Sequence, residues 1–146
     1  EKIMLNNCQI VSDGSVIIAA ARCPTITDIN LSRNAFTDSV GLQLCSAIAN
    51  SRSLNRIDLS FLKVSPRVIE AIVAATIGAK NKHEVKLNLS GNDLGEQVGA
   101  KIASLFQSGE GIREVVMDNC ELGQASTMWI IKSLTGHGIE RLSISG

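Results

Sequence analysis

Aromatic residues are scarce in this chain, and the scarcity limits the kind of core that it can form. Phe, Trp and Tyr together make up 3% of the sequence, and Tyr is absent, although hydrophobic residues reach 45%. An ordinary globular core in a chain of 146 residues carries more aromatic side chains. A narrow interior filled with Leu, Ile, Val and Ala fits this composition better and is typical of repeat proteins.

The chain also lacks an excess of charge and a long apolar run. Lys plus Arg is 14 and Asp plus Glu is 14, so the formal net charge is zero. A neutral balance gives no basic footprint for nucleic acid or for an anionic membrane. No apolar run reaches the length of a transmembrane helix, and the opening EKIMLNNCQI resembles a strand rather than a signal peptide. We therefore expect neither nucleic-acid binding nor direct membrane insertion.

Cysteine is present but does not form a plausible disulfide framework. The four cysteines are Cys8, Cys23, Cys45 and Cys120. Cys8 and Cys120 fall at the same turn position of repeats that are four strand steps apart, which corresponds to about 19 Å. A disulfide requires Cα atoms within about 7 Å. The cysteines are therefore predicted to be reduced, as is usual in the cytoplasm.

No set of residues typical of catalysis or of metal binding is visible. The two histidines, His83 and His137, lie in predicted linkers, without a Cys or carboxylate at ligand spacing. The G-x-G segments at 109–111 and 136–138 follow predicted helices, so they resemble helix caps rather than phosphate-binding loops. We expect a protein that is not an enzyme and that has no cofactor and no metal.

What the chain does contain is a repeated pattern of strand, turn and helix. In 85–106, VKLNLSGNDLGEQVGAKIASLF, leucines alternate along a short strand, Asn92 marks a turn, and helical spacing follows. Six strands align on this pattern at steps of 26, 28, 30, 28 and 27 residues. Their first core residues are Ile3, Ile29, Ile57, Leu87, Val115 and Leu142. The helices between them are predicted at 13–22, 38–49, 65–77, 95–107 and 124–134.

This periodicity predicts an α/β fold, a right-handed leucine-rich repeat solenoid of the ribonuclease-inhibitor-like class. Its horseshoe would have a parallel concave sheet and outer helices. We interpret 1–146 as one domain of about five repeats plus a final strand, and as a fragment of a longer chain because polar capping repeats are missing. The turn position holds Asn or Cys in four repeats but Leu62 in the third. Because a Leu side chain cannot hydrogen-bond, that repeat is expected to have a locally altered turn.

The concave face is the candidate protein-binding surface, because alternate strand residues point out of the core. Its predicted binding residues are Asp28, Asn30, Arg56, Asp58, Lys86, Asn88, Glu114, Val116 and Arg141. A further row on this face is predicted at Asn6, Ser32, Ser60, Ser90, Asp118 and Ser145. Only Arg56 and Arg141 are of the residue types that dominate interface hot spots. The single tryptophan, Trp129, is expected to be half-buried beside the helix core.

Four segments carry a resemblance to a known family. INLSRNAF, IDLSFLKVSP, VKLNLSGNDLGEQVGAKIA and IERLSISG resemble the leucine-rich repeat region of the CARMIL family. Members of that family link capping protein, the actin-nucleating Arp complex and myosin-I. The resemblance implies a non-catalytic scaffold that regulates actin filament capping and assembly. It also implies a cytoplasmic, cytoskeleton-associated location near the plasma membrane.

The resemblance leaves the direct partner open. Cytoskeletal regulators are the suspected partners, and a second copy of the chain is a further candidate. In the CARMIL family the capping-protein motif lies in a disordered tail beyond the repeats, so no capping-protein-binding residue is transferred to this chain. The alternative is a ligand-sensing or inhibitory leucine-rich repeat domain, as in innate immune receptors or ribonuclease inhibitor.

Overall fold

The computed structural model describes residues 1–10, 13–78, 85–108, 112–134 and 139–146. Within these ranges, strands and helices alternate along the chain. The strands are β1 Lys2–Met4, β2 Asp28–Asn30, β3 Arg56–Asp58, β4 Val85–Asn88, β5 Ile112–Val116 and β6 Arg141–Ser143. The helices are α1 Ser15–Arg22, α2 Asp38–Asn50, α3 Pro66–Ile77, α4 Gly95–Ser108 and α5 Gln124–Ser133. Both histidines and both G-x-G segments lie outside the described residues.

The strands form a six-stranded sheet in which each strand pairs with the next strand along the chain, always in parallel. The register places Ile29 opposite Ile57, Ile57 opposite Leu87, and Leu87 opposite Val115. This is the alignment that the repeat spacing predicts. Consecutive helices also contact one another. The predicted α/β class with an all-parallel sheet is therefore confirmed.

The helices begin within two residues of their predicted starts, and the residues before α2 and α3 act differently. Thr37 precedes α2, and its hydroxyl accepts a hydrogen bond from the Val40 amide. Ser65 precedes α3, in which Pro66 is the first helical residue, and a serine at this position commonly caps a helix in the same way. Instead, the Ser65 hydroxyl donates to Asp38 Oδ2 at 2.8 Å, and its amide donates to Asp38 Oδ1 at 3.2 Å. Ser65 thus joins the starts of α2 and α3.

The core lies between the sheet and the helices and is mainly aliphatic. Eight inward residues in or just after the four central strands are at most 2% exposed: Ile29, Leu31, Ile57, Leu59, Leu87, Leu89, Val115 and Met117. Ile17, Leu44, Ile69, Ile102 and Ile130 meet them from the five helices. Phe36 and Phe106 are the two buried aromatic side chains among the described residues. Since burying aliphatic surface contributes about 25 cal/mol per Å², such a core can be stable with few aromatics.

A left-handed residue follows five of the strands at the same position. The φ angles are 55° at Asn7, 58° at Arg33, 55° at Phe61, 69° at Gly91 and 54° at Asn119. The amide of each donates to a carbonyl of the next repeat, at Ser32, Ser60, Ser90, Asp118 and Ser145 respectively. The parallel hydrogen-bond ladder therefore continues beyond the strands and fixes these turns in register.

The turn residue that follows joins neighbouring repeats through its side chain. Asn34 Nδ2 donates to the carbonyls of Leu5 and Leu31, each at 2.8 Å. Asn34 Oδ1 accepts from the amides of Cys8 and Ile10 at 3.1 and 3.2 Å. All the hydrogen-bonding groups of this buried amide are thus used inside the fold.

The altered turn predicted at Leu62 is confirmed in its hydrogen bonds. The Val64 amide donates to the Leu62 carbonyl at 2.5 Å, which closes a tight local turn. By alignment, the Val64 amide corresponds to that of Ile10, which donates to Asn34 Oδ1. The corresponding acceptor, Asn92 Oδ1, is buried and has no partner among the described residues.

The four cysteines are free thiols, and one takes over part of the asparagine role. Cys120 is 2% exposed, and its Sγ donates to the Leu89 carbonyl at 3.3 Å. Asn92 makes the equivalent bond to Leu59 at 2.9 Å in the repeat before. A thiol is a weaker donor than an amide, so this link is the weaker of the two.

Candidate functional site

The sheet register brings the charged residues of the predicted concave face into one row. Lys2 lies opposite Asp28, Asp28 opposite Arg56, Arg56 opposite Lys86, Lys86 opposite Glu114, and Glu114 opposite Arg141. Neighbouring strands in a sheet are about 4.8 Å apart, so each side chain can reach its neighbour. The predicted charged residues therefore form one contiguous surface, which we call the strand row.

Four of the charged side chains in the strand row form two ion pairs. Lys86 Nζ lies 2.7 Å from Glu114 Oε1, and Lys2 Nζ lies 3.8 Å from Asp28 Oδ1. The hydrogen bond from Lys86, with the charges of Lys86 and Arg141, holds the pKa of the Glu114 carboxyl below its usual range. Arg56 is exposed and forms no ion pair within the described part of the chain. Arg141 is likewise exposed and in no ion pair among the described residues, so both arginines are open to a partner.

The polar residues predicted beside the strand row have a structural role. Asn30 Oδ1 accepts from the Ser32 amide at 2.9 Å, and Asn88 Oδ1 accepts from the Ser90 amide at 3.1 Å. Asp58 Oδ1 accepts from both the amide and the hydroxyl of Ser60, at 3.0 and 2.7 Å. These side chains bend the chain as it leaves each strand. The remaining predicted residue, Val116, is partly exposed and adds an apolar point to the surface.

The prediction of a further exposed row was wrong at its three central positions. Ser32, Ser60 and Ser90 are 8%, 7% and 9% exposed. Strand alternation would place them outward, but the Asx turns end the alternation one residue earlier. Their carbonyls accept the amides of the left-handed residues, which draws them into the fold.

A depression of about 290 Å³ lies at the β1 to β3 end of the strand row. Its lining residues are Lys2, Met4, Asp28, Ile29, Asn30, Arg56 and Asp58. Met4 is 63% exposed and gives it an apolar wall, while Arg56 gives it a cation. The depression combines charge and apolar surface, which protein interfaces commonly do.

A second surface, which the sequence analysis missed, lies at the turns after the strands. The Arg33 guanidinium carbon is 5.3 Å from the centre of the Phe61 ring. The ring also covers Gly91, where an added Cβ would lie 2.3 Å from the ring carbons. Phe61 is nevertheless 46% exposed. The available signal was an aromatic at a turn position where the aligned repeats hold Asn, Arg or Gly.

This second surface contains a groove of about 530 Å³, which we call the turn-edge groove. Its floor includes the buried Asn34. Its exposed lining residues are Asn7, Gln9, Arg33, Ala35, Phe61 and Lys63. The groove is lined by residues of the first three repeats, and the ladder described above fixes their backbone.

Trp129 lies on α5 beside two further apolar side chains that reach solvent. It is 48% exposed, and Met128 and Ile131 are 48% and 47% exposed. About half of the indole is therefore covered, in line with the sequence expectation, while the helix turns mainly Ile130 into the core.

The chain was compared with known families, curated sequences and solved structures. No family model and no curated protein matches it. Among solved structures, it is similar to leiomodin-1 actin-binding site 2, with a TM-score of 0.73 and 14% sequence identity. The alignment covers 92% of this chain and 78% of that chain. At this identity the likeness shows a shared fold.

The described surface offers ionic, hydrogen-bonding and apolar contacts. Within the described ranges, no three His, Cys, Asp or Glu side chains gather closely enough to hold a metal ion. No helix in those ranges is long and apolar enough to cross a bilayer. Ionic, hydrogen-bonding and apolar contacts of this kind occur together in protein–protein interfaces.

Proposed function

We propose that this chain is a non-catalytic protein-interaction scaffold that acts in the regulation of actin filaments. In this proposal the strands and helices coil as a right-handed leucine-rich repeat solenoid, and the strand row lies on its concave face. The protein would work in the cytoplasm, associated with the cytoskeleton. The resemblance of its repeats to the CARMIL family makes filament capping and assembly the process concerned.

The observation that carries the proposal is the likeness to leiomodin-1 actin-binding site 2 over 92% of this chain. That domain is an actin-binding site of leiomodin-1. Fold alone does not determine function, so the argument also needs a surface able to bind. The strand row meets that need, because four cations and two anions stand side by side across six strands.

A charged surface of this type gives association that depends on salt. Exposed charges attract a partner over about 10 Å at 0.1 M salt and over shorter distances at higher salt. The strand row has few buried anchors, so we expect weak and rapidly reversible binding. Arg56 should contribute strongly to this binding. It lies on β3, in the middle of the strand row, and has no ion-pair partner among the described residues.

The test is co-sedimentation of the purified chain with actin filaments, together with binding to monomeric actin. We expect binding at low salt that weakens as salt is added. Arg56→Glu combined with Arg141→Glu should weaken it at least about tenfold, since both reversals act on the same face. Arg22→Glu combined with Arg52→Glu is the matched control, because those exposed cations lie outside the strand row. If the wild-type chain bound neither form of actin at low salt, the proposal would be wrong.

A further inference from the structure

We propose that the turn-edge groove binds a short acidic segment of a partner protein, with an apolar side chain of that segment resting on Phe61. This inference deepens the proposed interaction role and rests on it. It adds a second contact, at the turns, to the contact proposed at the strand row. Three features of the groove carry it: its charge, its aromatic wall and its hydrogen-bonded floor.

The groove presents positive charge that the fold does not neutralise. Arg33 and Lys63 are both exposed and line the same groove. Neither forms an ion pair with any described residue. Two neighbouring cations without a carboxylate partner favour an anionic ligand.

Phe61 is placed in the groove at a conformational cost. A left-handed φ is unfavourable for a bulky residue, and three of the four aligned repeats use Asn or Gly at this position; the fourth has Arg33. The ring is nevertheless half-exposed, so burial recovers only part of that cost. Strain of this kind is concentrated at functional sites in proteins.

The contact of Arg33 with the face of Phe61 restrains the guanidinium. A cation over an aromatic face is held by the ring quadrupole, and the guanidinium presents its N–H groups as a planar fork. Those N–H groups can therefore bind both oxygens of a carboxylate without first losing much side-chain freedom. The same ring offers its exposed surface to an apolar side chain.

Asn34, on the floor of the groove, has its side-chain hydrogen-bonding groups already occupied. Asn34 uses Nδ2 and Oδ1 in hydrogen bonds within the fold. The exposed amides of Asn7 and Gln9 remain at the rim, where they can bond to a peptide backbone. The volume of about 530 Å³ lies within the range typical of ligand sites.

The charge pattern along this edge favours a short acidic peptide over nucleic acid. The position of Lys63 is occupied by Asp93 and Glu121 in the next two repeats, so the positive charge ends after Lys63. Nucleic acid needs a longer basic stripe to bind successive phosphates. An acidic segment of a few residues matches the extent of the basic patch.

The experiment measures fluorescence anisotropy with a labelled short peptide of Glu and Asp around one central Leu. A second peptide replaces the acidic residues with Gln and Asn. We expect the acidic peptide to bind at least about tenfold more tightly, and raised salt to weaken it. Equal binding of the two peptides, or no binding of the acidic one, overturns the proposal.

The variants are chosen to keep the backbone intact. Arg33→Asn and Lys63→Gln introduce the residues that aligned repeats hold, as at Asn7 and Gln9. Together they should weaken acidic-peptide binding at least about tenfold, whereas Arg52→Gln with Arg67→Gln should change it less than about twofold. Phe61→Asn should weaken the Leu-containing peptide more than a Gly-containing one. A control pair that weakens binding equally contradicts the assignment.

Two further measurements distinguish other occupants and separate this inference from the actin proposal. Tighter binding of a labelled oligothymidine than of the acidic peptide would make nucleic acid the occupant. If the wild-type chain sediments as a dimer and the Arg33→Asn, Lys63→Gln variant as a monomer, the occupant of the groove would be a second copy of the chain. Either result overturns the inference. If the groove variant loses the peptide but still sediments with actin, both proposals stand as separate sites. If wild type binds actin and not the peptide, only the inference fails.

Discussion

The side-chain amide of Asn92 donates a hydrogen bond to the carbonyl oxygen of Leu59, 2.9 Å away in the preceding repeat. It also donates to the Leu89 carbonyl of its own repeat at 2.7 Å. One buried amide therefore holds two successive strand ends together. Its Oδ1 lacks a partner among the described residues, so Asn92 contributes less than its capacity.

Replacing Asn92 should measure that link. Asn92→Ala leaves the buried Leu59 carbonyl without its side-chain donor, and we expect a loss of about 1–3 kcal/mol in the free energy of unfolding. Asn55→Ala, at an exposed position, should change it by less than about 0.5 kcal/mol. Urea unfolding monitored by circular dichroism gives both values. Equal losses for the two variants would show that the amide is not a structural link.

Leu89 tests the core. It is fully buried, and Leu89→Asp would place an unpaired carboxylate against aliphatic side chains. We expect a loss of at least about 3 kcal/mol, and unfolding of its repeat, since each repeat depends on its neighbours. Met4→Asp is the matched control, because Met4 is on a strand but 63% exposed. A melting temperature that Leu89→Asp leaves unchanged would contradict the core assignment.

Substitution should affect stability far less at Phe61 than at Phe36. Phe61→Asn removes a half-exposed ring, at about 1 kcal/mol, and relieves left-handed strain of about 1–2 kcal/mol. We therefore expect a net change within about 1 kcal/mol. Phe36 is 4% exposed, and Phe36→Ala should cost about 3–5 kcal/mol. A large loss in Phe61→Asn would mean that the ring is kept for stability rather than for binding.

The free energy of unfolding should fall at acidic pH, in part because of Glu114. Because its pKa is lowered in the fold, chiefly by the hydrogen bond from Lys86, its stabilising contribution is present above the unfolded pKa of about 4.3. That contribution is lost as the pH falls through the lower folded pKa. In NMR titrations, Lys86→Met should raise the pKa of Glu114, whereas Lys101→Met should not. Glu114→Gln should flatten part of the acid loss of stability.

The thiols should differ in reactivity. Hydrogen bonding to the Thr25 side chain, and then to its backbone, lowers the pKa of Cys23, whereas burial raises the pKa of Cys120. A lower pKa gives more thiolate at neutral pH. Native protein treated with iodoacetamide should therefore be modified at Cys23 at least about tenfold faster than at Cys120. Thr25→Val should slow the alkylation of Cys23. Mass spectrometry of the cysteine-containing peptides measures the rate of modification at each thiol. Faster labelling of Cys120 would contradict the order.

The order of strands and helices could be predicted from the sequence because the same residue pattern occurs several times. Alternation around Ile29, Ile57 and Leu87 determines which strand residues enter the core, and equal spacing aligns them. The predicted helix bounds agree with the structure within two residues at each end. Repetition supplies several independent copies of a weak signal, so the register could be predicted.

The turn-edge groove was not accessible in the same way. Asn7, Gly91 and Asn119 are of types that favour a left-handed conformation, while Arg33 and Phe61 give no such signal. The contact between them depends on side-chain directions that follow from the turn. Burial of Ser60 was also missed, because strand alternation ends where the Asp58 side chain bends the chain.

The sequential order of the sheet has a consequence for synthesis in the cell. Since β1 pairs with β2 and β2 with β3, no strand needs a distant partner among those described. Chain emerging from a ribosome at about 5–20 residues per second can dock each new strand onto a finished edge. We therefore expect assembly to proceed in the direction of translation, with one growing edge exposed at a time.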